Sequence, residues 1–233
     1  MLKARTKIDT IKGRLVSACG HGRQVSACGH GRQVSCVGLV LAMLVLNGCG
    51  TVPLPDYRYY RPKDITAPVP LTRPAIGGVL QVEGFRADGV FGERPIAYST
   101  EAEPQRILQY HYQLWTDPPG AILQRRFIDV LTAMQVAPSV TARASVRAEP
   151  YKLNGFIERL ERVKRLSGSW EVVVKLRIRV ESPHGRRPLL EQIYERKSAA
   201  TGDGISECVE LLGGAVDEIA ESVARDLPIS SKR

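Results

Sequence analysis

The chain has 233 residues, of which 43% are apolar, 6% aromatic and 24% charged. These proportions are typical of globular proteins and exclude a wholly disordered chain, a collagen and a polytopic membrane protein. The net charge of +9 is unevenly distributed: residues 1–48 carry +6 of it, from seven basic residues and one acid. Binding to nucleic acid is therefore not expected, because most of the excess charge lies in this first segment.

Residues 1–48 have the pattern of a secretory signal peptide. A basic stretch precedes an apolar run over residues 36–46. Eleven helical residues span roughly 16 Å, about half the hydrocarbon core of a bilayer, so the run fits a signal peptide rather than a transmembrane helix. Leu46-Asn47-Gly48 then leads into Cys49, which resembles the lipobox of bacterial lipoproteins with Asn47 in place of the usual small residue.

The lipobox resemblance implies cleavage before Cys49, a diacylglyceryl group on its thiol and an acyl group on its new amino terminus. One acyl chain holds a protein weakly to a membrane, whereas two or three hold it essentially permanently. Gly50 rather than aspartate follows, and under the usual sorting rule this implies the outer membrane, with the domain on the periplasmic side. The alternative is a buried cysteine that follows an apolar run by chance.

A nine-residue repeat occupies the leader, where residues 17–25 recur unchanged as residues 26–34. The repeat contains cysteine and histidine residues of the types that bind zinc, namely Cys19, His21, Cys28 and His30. No metal site is expected, because the repeat precedes the cleavage site and has no predicted fold to position ligands. A recent duplication, or a start codon assigned too far upstream, explains it.

The mature chain divides into a tether and one domain. Residues 49–74 are rich in proline and are predicted to be a lipidated, extended tether, with a short strand over residues 57–60 against the body. Residues 75–228 form the predicted domain. Cys208 is the remaining thiol, so no intramolecular disulfide is expected, and its position on an apolar helix face predicts a small core residue.

The first half of the domain contains strands followed by a helix. Residues 76–85 and 95–100 are β-prone, and residues 107–115 alternate apolar and polar side chains like a half-buried strand. The period becomes helical over residues 118–134, with Asp117 as the predicted N-cap and Pro118 at the first position. The apolar positions of that helix are Leu123, Phe127, Val130, Leu131 and Met134.

The second half contains the clearest strand, over residues 170–180, which has one apolar face and one charged face. Short turns join it to residues 152–164 and 188–200, which predicts an antiparallel meander. A second amphipathic helix begins near Asp203 and extends to Val223. The predicted class is α+β, a mostly antiparallel sheet with two amphipathic helices packed on one face.

The predicted mature chain, from Cys49 onward, contains no nucleophile elbow, phosphate-binding loop, dinucleotide fingerprint or Cys/His ligand set. Glu158 and Glu161 are one candidate acid/base pair, although interleaved opposite charges are more typical of a solvated sheet face. We therefore predict that the chain is not an enzyme and binds no cofactor or metal.

Lys175, Arg177 and Arg179, on the charged face of the clearest strand, are candidate partner-contact residues. The arginines could contact a lipid phosphate or an acidic partner. The alternative is a charged outer face that discourages aggregation at the sheet edge. An edge strand that accepts a partner strand is a second candidate contact surface.

Several segments follow one another in a characteristic order. A lipobox cysteine and a proline-rich tether precede Tyr59-Tyr60, Ile76-Gly-Gly-Val-Leu-Gln-Val82, Arg94-Pro-Ile-Ala-Tyr98 and Tyr110-His-Tyr-Gln-Leu-Trp115, and Asp117-Pro-Pro119 opens a helix. Together these resemble the ABC-type transport auxiliary lipoprotein family, typified by PqiC (YmbA), from about residue 57 to residue 226. The chain departs from the family pattern over residues 80–91.

The family resemblance implies a periplasmic lipoprotein that accompanies an ABC-type lipid transport system with an MCE-domain protein. It implies docking at the outer membrane and a receiving or tethering role toward the MCE-domain protein, with a homo-oligomer as one form. Two alternatives remain: a lipid-anchored envelope hydrolase, and a structural lipoprotein that supports another outer-membrane assembly or secretion machine.

Overall fold

A computed structural model describes residues 55–145 and 149–228. The predicted leader, Cys49 and the first part of the predicted tether lie outside the described residues. The described elements are β1 (Arg58–Tyr60), β2 (Val79–Val82), β3 (Arg86–Ala87), a 3₁₀ helix (Gly89–Gly92), β4 (Pro95–Thr100), β5 (Glu103–Trp115), α1 (Pro119–Ala133), β6 (Ser139–Thr141), β7 (Tyr151–Lys164), β8 (Trp170–Glu181), β9 (Leu190–Ala199) and α2 (Ile205–Asp226).

The longest strand, β7, organises a nine-stranded sheet. On one side it pairs antiparallel with β8, which pairs antiparallel with β9, so the predicted meander is confirmed. On its other side β7 pairs in turn with β2, β3 and β4, all parallel to it. These three short strands behave as one strand interrupted by the 3₁₀ helix and bends. β5 then pairs antiparallel with β4, β1 pairs parallel with β5 and β6 pairs parallel with β2.

The predicted α+β class, with two amphipathic helices on one face of the sheet, is confirmed. The sheet is mixed, although its long ladders, β7 with β8 and β8 with β9, are antiparallel. The parallel pairings arise because the chain passes through β5, α1 and β6 between β4 and β7, and such a crossover leaves no local turn signal in the sequence.

The core lies between the helices and one face of the sheet. β8 contributes side chains at every second position, and each of these is fully buried: Val172, Val174, Leu176, Ile178 and Val180. The apolar stripe of α2 packs against them, with Val209, Leu212, Val216, Ile219 and Val223 buried. Burial of each such side chain stabilises the fold by roughly 1.5–3 kcal/mol. The apolar faces predicted for β8 and for the second helix are thus the faces that form the core.

The start of α1 corrects one prediction. Pro118, not Asp117, occupies the N-cap position, and the cap has no side-chain hydrogen bond. The Asp117 carboxylate instead accepts a hydrogen bond from Arg125 Nη2 at 2.6 Å, two turns into the helix. Pro119 is the first helical residue. Proline is tolerated there because an N–H at this position would have no acceptor within the helix.

Residues 58–71, which we call the strap, lie against the domain although all of them belong to the predicted tether. Thr116 donates a backbone hydrogen bond to the Tyr60 carbonyl (2.9 Å), and Leu71 donates one to the Met134 carbonyl (2.9 Å). Tyr60 and Leu71 also pack against the core. Residues 61–71 contain no helix or strand, and the proline-rich segment is held on the domain surface from residue 58.

Candidate functional site

The charged face of β8 holds the predicted contact residues. Lys175, Arg177 and Arg179 alternate with the buried side chains of the same strand and therefore point away from the helices. Arg177 and Arg179 expose 56% and 45% of their side chains. Cys49, the predicted lipidation site, lies outside the described residues.

Carboxylates on neighbouring strands pair with all three cations. Glu158 on β7 accepts hydrogen bonds from Arg177 Nη2 at 2.6 Å and contacts Lys175 Nζ at 2.9 Å. Arg179 contacts Glu181 at 2.7 Å and Glu191 on β9 at 3.3 Å. The row is therefore a mixed-charge surface rather than a basic patch, and a partner must compete with these carboxylates for the arginines.

Glu158 is held in its ionised form. The hydrogen bond from Lys175 lowers the pKa of this carboxyl below its ordinary value, and the hydrogen bond from Arg177 adds to the effect. Glu161, its candidate partner in acid/base chemistry, is only 2% exposed and accepts a hydrogen bond from Arg159 Nε at 2.7 Å. Glu158 thus lies on an ion-paired sheet face, whereas Glu161 is buried with one cation, Arg159, and its Oε2 has no hydrogen-bond partner among the described residues.

The β9 strand presents an unpaired edge within the described part of the chain, since its only described ladder is with β8. Ala200 donates to the Trp170 carbonyl at 2.8 Å, which makes the even-numbered residues of β9 the hydrogen-bonded partners of β8. The N–H groups of odd-numbered residues, including Ile193, therefore point to the free edge. Ile193 is also 46% exposed. This edge can accept an added strand.

A buried ion pair holds the strap to both helices. Arg126 on α1 donates from Nε and Nη2 to the two carboxylate oxygens of Asp217 on α2, at 2.8 and 2.5 Å. The same guanidinium donates from Nη1 to the Lys63 carbonyl at 2.6 Å. Burial raises the pKa of Asp217 while the Arg126 hydrogen bonds oppose that rise. The strap is thus positioned by a charged side chain that also joins the helices.

Glycine allows the strap to lie close to α2. A Cβ atom at Gly213 would lie 2.6 Å from the Pro62 Cβ, whereas one at Gly214 would meet nothing within 4 Å. The apolar void beneath Pro62, lined also by Trp115 and Leu212, measures about 10 Å³. That volume is too small for an acyl chain, so this part of the interior is packed rather than hollow.

A second buried arginine packs on aromatic rings. Arg162 is 2% exposed, its Cζ lies 3.6 Å from the Trp170 ring centroid, and its Nη2 donates to the Asp203 carbonyl at 3.0 Å. Nearby Cys208 is 1% exposed and burial raises the pKa of its thiol, in keeping with the predicted core position. Sequence reasoning missed this cluster, although Arg162 lies two residues after buried Leu160 and hence on the same strand face.

The sequence reasoning also missed the Arg126–Asp217 pair. Its two members lie 91 positions apart, and neither belongs to a recognised motif. The available signal was an arginine between buried positions of α1, since Ile122, Leu123, Phe127 and Val130 surround it in the sequence. An arginine on that face requires a buried acceptor, which the sequence alone does not identify.

The described residues contain neither a metal-binding cluster nor a membrane-spanning helix. Among residues 55–145 and 149–228, no group of three or more His, Cys, Asp or Glu side chains is placed to hold a metal ion. No helix in the described part of the chain is both long enough and apolar enough to cross a bilayer. His184 lies in an exposed turn, with Nε2 2.8 Å from an oxygen of Glu149.

Comparison with solved structures identifies the fold. A crystal structure of a Xanthomonas campestris protein of the DUF330 family has a TM-score of 0.62 and 14% identity, covering 72% of this chain and 92% of that one. A crystal structure of an uncharacterized protein has a TM-score of 0.55 and 14% identity, covering 74% of this chain and 99% of that one. At this identity the two likenesses show the fold alone.

Comparison of sequences identifies the family. A comparison with curated proteins finds no match. A family model described as an ABC-type transport auxiliary lipoprotein component matches residues 68–224, which is more than half of the chain. That match confirms the relationship predicted from the order of the Tyr59-Tyr60, Arg94–Tyr98 and Tyr110–Trp115 segments. The chain therefore belongs to the family of ABC-type transport auxiliary lipoprotein components.

Proposed function

We propose that the chain is a non-catalytic lipoprotein, anchored through Cys49 to the periplasmic side of the outer membrane, that serves an ABC-type lipid transport system containing an MCE-domain protein. The family match over residues 68–224 carries this proposal, because it describes an auxiliary lipoprotein component of ABC-type transport. The lipobox that ends at Cys49 lies 19 residues before the matched region and supplies the acylation site such a component requires.

The position of the strap supports a short connection to the membrane. Tyr57 follows Cys49 by only eight positions, and at 3.3–3.6 Å per residue this stretch spans at most about 29 Å. Because Tyr60 and Leu71 are hydrogen-bonded to the domain, the residues after 58 add little reach. The domain is accordingly held near the bilayer, as suits a docking point at the membrane surface.

The partner-contact surface in this proposal is the outer face of β8 together with the free edge of β9. Arg177 and Arg179 can exchange Glu158, Glu181 and Glu191 for carboxylates of a partner, because both arginine side chains are about half exposed. Odd-numbered N–H groups of β9 can pair with a partner strand. The partner proposed here is the MCE-domain protein, and a second copy of the chain is the alternative occupant.

Membrane fractionation tests the anchor. A Cys49→Ala variant is expected to leave the outer-membrane fraction and appear as soluble periplasmic protein, because acylation is lost. Its persistence in membranes when its partners are deleted would contradict the anchor.

Co-purification from envelopes tests the partner surface. Arg177→Glu with Arg179→Glu is expected to reduce recovery of the MCE-domain protein about tenfold or more, because the reversed charges would oppose partner carboxylates. The matched control is Arg186→Glu with Arg187→Glu in the exposed β8–β9 turn, which makes the same charge change. Equal recovery with both variants would exclude the β8 face.

A backbone variant separates strand addition from side-chain contact. Ile193→Pro removes an N–H group that points to the free edge while leaving the ladder with β8 intact. Ile193→Ala removes the exposed side chain and keeps the N–H group. Strand addition predicts loss of the partner with Ile193→Pro only, and equal recovery with both variants would exclude it.

A further inference from the structure

The start of the described chain carries an exposed group of aromatic and basic side chains. Tyr57 and Tyr59 are 61% and 55% exposed, which is unusual for large aromatic residues held in or beside a strand. Arg58 and Arg61 are also exposed, and neither has an ion-pair partner within residues 55–145 and 149–228. We call Tyr57, Arg58, Tyr59 and Arg61 the β1 patch.

The β1 patch is fixed to the domain. β1 pairs with the end of β5, with Tyr59 opposite Leu114. The Tyr57 ring lies edge-on to Tyr112 with centroids 5.4 Å apart. Arg94 lies over the Tyr59 ring, its Cζ 5.3 Å from the centroid. These contacts hold the tyrosine rings in place while leaving more than half of each exposed.

Arg94 adds a further cation to this surface. Its guanidinium donates from Nε to the Trp115 carbonyl at 3.1 Å and from Nη2 to the Thr116 carbonyl at 3.0 Å. Both acceptors are backbone carbonyls, so its positive charge is not neutralised by these bonds. Residues 56–63 carry three cations against one carboxylate, Asp56, and one of the cations, Lys63, contacts Glu210 at 3.6 Å.

We infer that the β1 patch is a membrane-contact surface, which rests on the headgroups of a bilayer containing anionic phospholipid. Tyrosine is enriched at membrane–water interfaces because its ring is apolar and its hydroxyl is polar. Arginine beside such rings attracts anionic headgroups. The inference rests on the proposed acylation at Cys49, which places the patch at most about 29 Å of chain from the membrane.

The order of the strands places the β1 patch and the free edge of β9 at opposite edges of the sheet. Strands β5, β4, β7 and β8 separate β1 from β9, so the patch and the free β9 edge lie about 24 Å apart at the usual strand spacing. A domain that rests on the bilayer through β1 therefore turns β9 and its exposed Ile193 toward the periplasm. The membrane and a protein partner can be engaged at the same time.

Depth-dependent fluorescence quenching tests the inference on the full lipidated chain. The chain is reconstituted in phosphatidylcholine vesicles, with and without phosphatidylglycerol, in which part of the lipid is brominated. A Tyr59→Trp reporter is expected to be quenched, more strongly when phosphatidylglycerol is present. An Ile193→Trp reporter on β9 is the control and is expected to stay unquenched, with the unsubstituted chain giving the background of Trp115 and Trp170.

Charge variants test the role of the arginines. Arg58→Ser with Arg61→Ser is expected to weaken the dependence of Tyr59→Trp quenching on phosphatidylglycerol about 25-fold, since each charge contributes about fivefold. Arg186→Ser with Arg187→Ser makes the same charge change in the β8–β9 turn and is expected to have no effect.

The outcomes separate this inference from the proposed anchor. A chain that does not float with vesicles overturns both the acylation and the membrane contact. A chain that floats while Tyr59→Trp remains unquenched overturns the membrane contact alone. If the emission of Tyr59→Trp instead shifts with protein concentration in the absence of vesicles and is not quenched in their presence, a second copy covers the patch and the inference is overturned.

Discussion

The strap and the outer face of the β7–β8–β9 meander both depend on arginine–carboxylate pairs, but the two sets differ in burial. At the strap, Arg126 and Asp217 expose only 11% and 17% of their side chains. On the meander face, Arg177 and Arg179 expose 56% and 45%. Loss of one member of a buried pair is costly because the other is left charged and desolvated, whereas exposed pairs contribute little.

Because the two sets of arginine–carboxylate pairs differ in burial, they have different roles. The Arg126 guanidinium holds the strap carbonyl of Lys63 and joins the two helices, so the segment nearest Cys49 is fixed on the domain. The Arg179 pairs with Glu181 and Glu191 are exposed on both sides and are therefore weak enough to exchange one carboxylate for another at small cost. A fixed base and an adaptable outer face are what the proposed docking role would require.

The largest effect is expected from the buried pair. Arg126→Ala should lower the free energy of unfolding by about 3–5 kcal/mol, because Asp217 remains buried without its cation. Arg126→Met combined with Asp217→Leu should lower it much less, since no charge is then left unpaired. Urea unfolding of both variants measures the contrast, and equal losses would show that the charges do not matter.

Two adjacent glycines test whether the strap is tightly packed. Gly213→Ala should cost about 1–3 kcal/mol, because its Cβ would lie 2.6 Å from the Pro62 Cβ and push the strap away from α2. Gly214→Ala is the control and should stabilise the chain by up to about 1 kcal/mol, since open space surrounds that position and alanine favours helix. Limited proteolysis should cut the strap faster in Gly213→Ala only. Indistinguishable melting curves for the two variants would argue against close packing.

A smaller effect is expected from the meander carboxylate. Because the hydrogen bond from Lys175 lowers the Glu158 pKa, this group contributes stability above its ordinary value of 4.5 that is lost as pH falls through the folded-state pKa. Glu158→Gln should therefore lower the free energy of unfolding by about 1 kcal/mol at neutral pH, and the difference should shrink in acid. Urea titrations across that range provide the measurement. A difference that is constant with pH would show that the ionised form is not what stabilises the fold.

The smallest effect is expected at Arg179, whose pairs with Glu181 and Glu191 are exposed to solvent on both sides. Arg179→Ala should leave the urea midpoint unchanged within error. Added salt should shift the urea midpoint of Arg179→Ala and that of the unsubstituted chain by the same amount. A clear loss of stability would show that the ion pairs of the meander face stabilise the fold. They would then be less free to exchange with a partner's carboxylates.

The sequence predicts elements that depend on local pattern. The alternation over residues 170–180 identifies β8 and its buried face, and the three- and four-residue spacing of Val209, Leu212 and Val216 identifies α2. Both patterns are repeated many times within one element, so a single exception does not hide them. The family relationship follows from the order of short segments in the same way.

Features that depend on long-range pairing could not be predicted. The parallel pairing of β2, β3 and β4 with β7 is set by a crossover through α1, and nothing in the short strands indicates their register. Asp117 has the residue type of an N-cap, but its carboxylate pairs with Arg125 instead. The prolines of the strap predict extended chain, yet proline content does not show whether such a chain packs on a domain.

The proposed anchor and the membrane contact of the β1 patch both depend on acylation of Cys49. Intact mass spectrometry of the chain isolated from membranes tests it directly. We predict an amino terminus at Cys49 that carries the mass of a diacylglyceryl group and an acyl chain. A chain that begins at Met1 with an unmodified Cys49 would contradict the account.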